Sequence, residues 1–297
     1  MSASHFQFAS SAPETSDEAL LRHLRHPHEN TALILYVLAN FGFIAICLAA
    51  INRGSGWLAH HPVLGASDDA VRGWAMALLL AFPLAVLGRH VTYFRRRANG
   101  VRVSADQLPE VHALLVDACA RLRMPERPEL YIVRDMKGFS DAHSLFGMRS
   151  AIVLNQTLFI GHWRDDQDAI AFAIAEAVGT IRLGHTRWWV EALTAYAVRI
   201  PILRGGILAV RTYSRDRCAA WVVPDGIRGL IIHASGKNLV GEVDVAAFVA
   251  QAESGGGFWE WAAAIGERTP NLTRRARKLY ASGFFDRERD LDRISTT

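Results

Sequence analysis

Cysteine is scarce in this chain, and what there is does not pair. Cys47, Cys119 and Cys218 are odd in number and far apart, which excludes a disulfide framework and a C-x-x-C metal pair and suits a reducing compartment. Residues 1–30 lack the basic-then-apolar order of a signal peptide; they mix Ser, His, Pro and acidic residues and read as a polar tail. There is no Gly-x-Ser-x-Gly elbow and no Ser-His-Asp order, so the serine-hydrolase reading has nothing to stand on. Gly255, Gly256 and Gly257 follow no strand and precede no Lys-Ser/Thr; they read as a turn into a helix and not as a phosphate loop. Basic residues do not alternate with aromatics, and the net charge is only +4, so no nucleic-acid partner is expected. Ser235 and Lys237 read as a polar turn and not a catalytic dyad. His162 and His185 read as surface or core histidines.

Apolar residues are abundant instead. They make up 51% of the chain, and the mean hydropathy is +0.11. Residues 31–51 carry no charge and are long enough to cross a bilayer. Asn40, inside that run, reads as a helix–helix hydrogen bond. After a polar loop with Gly54, Gly56, Pro62 and Gly65, residues 74–88 form a second apolar run with Pro83 inside, which extends to 94 if Arg89 snorkels. Arg95, Arg96 and Arg97 follow at once, and Arg22 and Arg25 precede the first run, whereas the loop holds Arg53 and Arg72 against Asp68 and Asp69. The excess of arginine outside the pair places both termini in the cytoplasm. The expected organisation is a tail at 1–30, two spans at 31–94 and a cytoplasmic domain at 95–297, in the cell's inner (plasma) membrane.

From Arg102 the pattern is that of a soluble domain. Leu108, Val111, Leu114, Leu115, Ala118 and Leu122 recur at helical spacing; residues 128–134 and 150–154 read as strands. Ile170, Ala173, Ile174, Ala177, Val178 and Ile181 then define a buried helix, with Asp165, Asp166 and Asp168 around its start and Gly184 near its end. Residues 188–210 are apolar but interrupted by Glu191, Arg199, Pro201 and Arg204. A full span there buries charge, so an amphipathic helix pair lying on the membrane, anchored by Trp188 and Trp189, is the expectation.

The tail T-I-R-L-G-H of the buried helix resembles the end of the active-site helix in the HtpX and CAAX-prenyl-protease family of membrane zinc endopeptidases. The resemblance extends to R-P-E-L-Y-I-V, to Gly138, Phe139 and Ser140 where the family has an Asn-Ala-Phe turn, to A-I-V-L, to Y-S-R-D-R-C, and to T-P-N-L-T-R-R-A-R-K-L. It implies an α+β, mainly helical fold: a two-span membrane hairpin followed by a gluzincin-like metallopeptidase domain with a small sheet. The family's helix carries H-E-x-x-H, whose two histidines bind zinc from one face while the glutamate activates the metal-bound water. Aligned on Gly184 and His185, the first histidine position is Glu176, the base is Ala177 and the second histidine is Thr180. The third ligand position is Cys218, and the supporting aspartate is Val222.

The resemblance thus implies zinc in the family and a catalytic set that is absent here. The expected function is a membrane-anchored pseudopeptidase, contacting membrane lipid and holding a protein or peptide against the former substrate strand, Ala151, Ile152, Val153 and Leu154, as an exposed edge. A rearranged metal site from Glu176, His185 and Cys218 is the enzymatic alternative, and a purely structural membrane protein is another. Glu176 on its own reads as a partly buried carboxylate paired with a nearby arginine.

Overall fold

The computed structural model describes residues 17–53, 68–134, 136, 140–143, 149–159, 167–223, 226–235, 242–254, 267 and 269–283. The loop glycines before Gly73, Gly138, Phe139, His162, Asp165, Asp166, Lys237 and Gly255, Gly256 and Gly257 lie outside the described residues, as does the Arg204 side chain. The described chain is mainly helical with one small mixed sheet.

A short helix, α1 (Asp17–Leu24), leads into α2 (Glu29–Arg53) and α3 (Asp68–Asn99). Within them, Glu29–Asn52 and Asp69–Asn99 are long and apolar enough to cross a membrane; 24 residues reach about 36 Å. The two helices pack through Cys47, Ala50 and Ala75 with Phe43, Val71 and Leu79 around them. Ile34, Leu35, Leu38, Leu80, Leu84 and Leu87 point away into the surroundings. That is a far larger apolar face than a water-soluble surface carries.

The sheet holds β1 (Val101–Val103), β2 (Glu129–Val133), β3 (Ser140–His143) and β4 (Ala151–Asn155) in the order β1-β2-β4-β3. β2 and β4 are parallel, while β1 and β3 run antiparallel to their neighbours. The continuous apolar run of β4 is that of a strand covered on both faces, and all five of its residues are buried. This corrects the expectation of a free edge at Ala151, Ile152, Val153 and Leu154. β4 pairs with β2 on one side and β3 on the other, so its main-chain groups are used and no peptide can add to it. β3 is the outer strand, and there Arg89 donates to the Ala142 carbonyl (3.4 Å) while Arg96 pairs with Asp141 (3.0 Å). A charged cover of this kind blunts strand addition.

Helix α4 (Pro109–Arg121) and the motif helix α5 (Asp168–Arg182) follow the pattern read from their apolar spacing. Every residue of α5 from Phe172 to Gly179 is buried, because it packs on α4, on β3 and on two later helices. Its end is a Schellman cap: Gly184 is left-handed (φ 78°), Gly184 N–H reaches Ile181 O at 2.9 Å, and His185 N–H reaches Thr180 O at 3.1 Å. The Gly-His pair thus has a backbone role in closing the helix.

Next come α6 (Trp188–Thr194), a 3₁₀ turn (Ala197–Arg199), α7 (Pro201–Val222), α8 (Gly226–Ser235), α9 (Val245–Ser254) and α10 (Leu272–Ala281). α7 runs antiparallel to α2: Ser214 bonds Glu29 at one end, and the Tyr36 hydroxyl accepts from Ile207 N–H (3.1 Å) further along. The 3₁₀ turn follows Tyr196, whose N–H donates to Asn40 Oδ1 (2.8 Å) and whose ring stacks on Phe43 at 5.1 Å. Asn40 is roughly 16 Å along α2 from its start at 1.5 Å per residue. Residues 188–210 therefore do not lie across the end of the hairpin. They enter beside it to about its middle and return, with Glu191 neutralised by Arg89. Asn40 makes its polar bond, to a backbone turn and not to a second helix.

Tyr196 has a further partner. Pro83 lies inside α3 and has no N–H for the carbonyl one turn back. That carbonyl is Leu79 O, and the Tyr196 hydroxyl donates to it at 2.7 Å. A freed carbonyl among apolar helices has to find a donor. We expect Tyr196→Phe to destabilise the protein by about 1–3 kcal/mol. Pro83→Ala, which restores the helical donor, should remove most of that penalty in the double variant. A penalty equal in both backgrounds, measured by reversible unfolding in detergent, would separate the hydroxyl from Pro83.

Candidate functional site

Glu176 faces inward from the middle of α5, where Ala173, Ala175, Ala177 and Gly179 leave room for close packing. Opposite it α7 supplies Asp216, and the first turn of α10 supplies Arg275, phased by the Asn271 cap that accepts Arg274 N–H at 3.1 Å. All three side chains are buried. Arg275 donates to both oxygens of Asp216, at 3.0 and 2.6 Å, and to Glu176 Oε1. Arg215 Nε lies 3.5 Å from the same Glu176 oxygen. One forked guanidinium thus ties two carboxylates from two helices, a geometry only arginine offers.

The positions that the resemblance singles out are each engaged. Thr180 Oγ1 donates to Glu176 O at 2.7 Å, back-bonded to its own helix. Ala177 is buried apolar surface. Cys218 is fully buried against Gly179, where an added Cβ would stand 2.5 Å from the Cys218 Cβ, and burial holds its thiol well above the ordinary value. A thiol so held is a small packing group and not a ready thiolate. His185 is engaged separately: its Nε2 meets Glu29 Oε1 at 2.9 Å. Glu29 also accepts from Arg25 (2.7 Å) and from Ser214. Glu176, His185 and Cys218 are not gathered into one site. Among the described residues no three of His, Cys, Asp and Glu stand where they can hold a metal ion together. A zinc ion finds at these positions a carboxylate hydrogen-bonded by Arg275 and ion-paired with Arg215, a back-bonded hydroxyl and a neutral thiol.

The electrostatics follow from one cation between two acids in a dry interior. For Glu176 burial pushes the pKa up, but the charges of Arg275 and Arg215 outweigh it and the group stays below its usual value. For Asp216 burial dominates, Arg275 opposes it, the neighbouring Glu176 charge adds to it, and the carboxyl is raised to about 7. The pair holds one charge firmly and the second weakly. His233 is pushed down to about 3, by burial and then by the Arg275 charge.

The signs give a test. With Asp216 near 7 in the folded chain and about 3.9 unfolded, the folded state binds the extra proton between these values, so this group's contribution falls as pH rises through the window. His233 and His185 are lowered and act oppositely, losing stability as pH falls below about 6.5. The difference between variant and wild type isolates Asp216. Asp216→Asn should gain stability relative to wild type as pH climbs from about 4 to 7; a pH-independent difference in urea midpoints would show that Asp216 does not titrate there.

Sequence reasoning anticipated an arginine on Glu176 but not which one, and it passed over Asp216 and Glu29 altogether. Asp216 was visible within S-R-D-R-C, two residues before the cysteine chosen as the ligand position. No family model, curated protein or solved structure matches the chain, so the buried cluster is the firmest guide to what the molecule does.

Proposed function

We propose that this chain is a membrane-anchored protein of zinc-endopeptidase-like ancestry in which an internal ion cluster has replaced the catalytic centre, leaving a non-enzymatic binding module. The observation that supports it is the Glu176–Arg275–Asp216 cluster. At the helix position where the resemblance puts the first zinc ligand, a guanidinium supplies the positive charge. On this reading the gluzincin-like domain occupies residues 95–297, faces the cytoplasm and is held to the inner membrane by α2 and α3, with residues 188–210 inserted beside them.

The test is elemental. Full-length protein purified in detergent without chelator should carry far less than one zinc per chain, and its unfolding should be insensitive to added chelator, because no folding free energy is tied to a metal. About one zinc per chain, lost in Glu176→Gln or Cys218→Ser, would overturn the proposal. Topology is tested separately. A reporter active only outside the cytoplasm should light up when fused at His60 and stay dark at Thr297, and the reverse pattern would show that Arg95, Arg96 and Arg97 do not set the orientation.

A further inference from the structure

Beside the ion cluster lies a pocket of about 210 Å³, formed where the turn at residues 26–28 meets α7 and α10. Its lining includes Arg217, whose Nη1 donates to Arg25 O at 2.9 Å, the exposed Lys278, His26, Tyr213, Ser282 and the buried Arg275. Asp216 is the one carboxylate in the lining, and it already accepts two hydrogen bonds from Arg275. The volume is several times the ~30 Å³ share of a water molecule, enough for a phosphate group and a few waters.

Two details give the pocket its sign. His28 N–H donates to His26 Nδ1 at 3.3 Å, so the neutral His26 ring carries its proton on Nε2 as a donor. Burial, and then the charges of Arg217, His28 and Lys278, lower the His26 pKa against a smaller pull from Glu29. The positive field is therefore felt at the pocket wall, and an anion entering would relieve it. Tyr213 packs at 5.7 Å from the His26 ring and closes the side.

We infer that this pocket is an anion site for a phosphate group, carried by a phospholipid headgroup or free in solution. The lipid source rests on the membrane reading above: the turn at 26–28 immediately precedes α2, whose charge-free run starts the span, and so sits in the headgroup layer ~5–8 Å beyond the hydrocarbon. Basic pockets at that depth hold anionic headgroups by charge-assisted hydrogen bonds. The phosphate chemistry itself rests only on the pocket.

The experiment uses the full chain in detergent. One arm titrates phosphatidylglycerol and follows lipid adducts by native mass spectrometry; the other titrates inorganic phosphate and follows the unfolding temperature. We expect one saturable lipid per chain, weakened at least about tenfold in Arg217→Gln/Lys278→Gln, the scale of losing charge-assisted hydrogen bonds. The same charge removed elsewhere, in Arg127→Gln/Arg149→Gln at the starts of β2 and β4, should leave it unchanged. Lys278→Gln alone changes an exposed side chain and reads the same effect should the double variant fail to fold. Stabilisation by inorganic phosphate that the double variant loses, without saturable lipid, keeps the site and assigns free phosphate as its source. Binding that is absent in both arms, or equal in wild type and the pocket variants, overturns the proposal. The topology reporters are independent of either arm, so a failed lipid arm and a failed membrane reading remain distinguishable.

Discussion

Arg275→Met should destabilise the folded chain by about 3–5 kcal/mol, the scale for removing one member of a buried ionic cluster, which is a large part of the 5–15 kcal/mol a domain typically holds. The variant leaves Glu176 and Asp216 buried together without the cation that donates to both, so at least one carboxyl must take a proton or draw in water. The loss should come from the stranded acids more than from the missing pair. Glu176→Met/Asp216→Leu/Arg275→Met, which removes all three charges, should therefore recover most of the stability. Urea unfolding of wild type, the single variant and the triple variant decides the matter. A single variant within about 1 kcal/mol of wild type, or a triple variant no better than the single, would show that the cluster is not what holds α5, α7 and α10 together.

The second large effect is expected at Gly179, where the space is limited by the Cys218 Cβ, an atom fixed to the facing helix and not the far end of a flexible side chain. An alanine Cβ there would sit 2.5 Å from the Cys218 Cβ and 3.0 Å from its sulfur. Carbon atoms rest near 3.5–4.0 Å, so α5 and α7 must separate by about 1 Å through the centre of the core. Overpacking of this kind costs about 1–3 kcal/mol and at times more, and it outweighs the ~1 kcal/mol that alanine gains over glycine in a helix. Because the clash is with a Cβ, Cys218→Ala should give little relief and Cys218→Gly should give most of it. If alanine at 218 rescues as well as glycine, the sulfur and not the helix spacing sets the limit.

Much of the fold was legible because its elements repeat simple patterns. The period of Ile170, Ala173, Ile174, Ala177, Val178 and Ile181 marked α5, and the glycine at 184 marked its end, where a left-handed residue is required. The charge-free run at 31–51 marked α2, and the apolar run A-I-V-L marked β4. What pattern could not supply was the neighbour of each element. S-D-A-H has neither alternation nor apolar content, yet as β3 it covers the side of β4 that was expected to be open. Glu191 and Arg199 argued for a surface position of residues 188–210, because the partner Arg89 is a hundred residues upstream on α3. At the site, Glu176 called for an arginine, but the sequence did not say which; the Asn271 cap sets the phase of α10 that turns Arg275 inward.

The contact between Tyr196 and Leu79 O has a consequence for the order in which the molecule assembles. In a chain that grows from its N-terminus, α2 and α3 are complete long before residue 196 is made. Until then the Leu79 carbonyl has no donor, since Pro83 lacks one. The early hairpin is thus an unfinished object with a polar vacancy halfway along it, and an incoming tyrosine hydroxyl finishes it. Asn40, on the facing helix, waits in the same way for the Tyr196 N–H. A chain whose later segment is shifted or missing therefore keeps two unmet hydrogen-bonding groups, Leu79 O and Asn40 Oδ1, between its first two long helices.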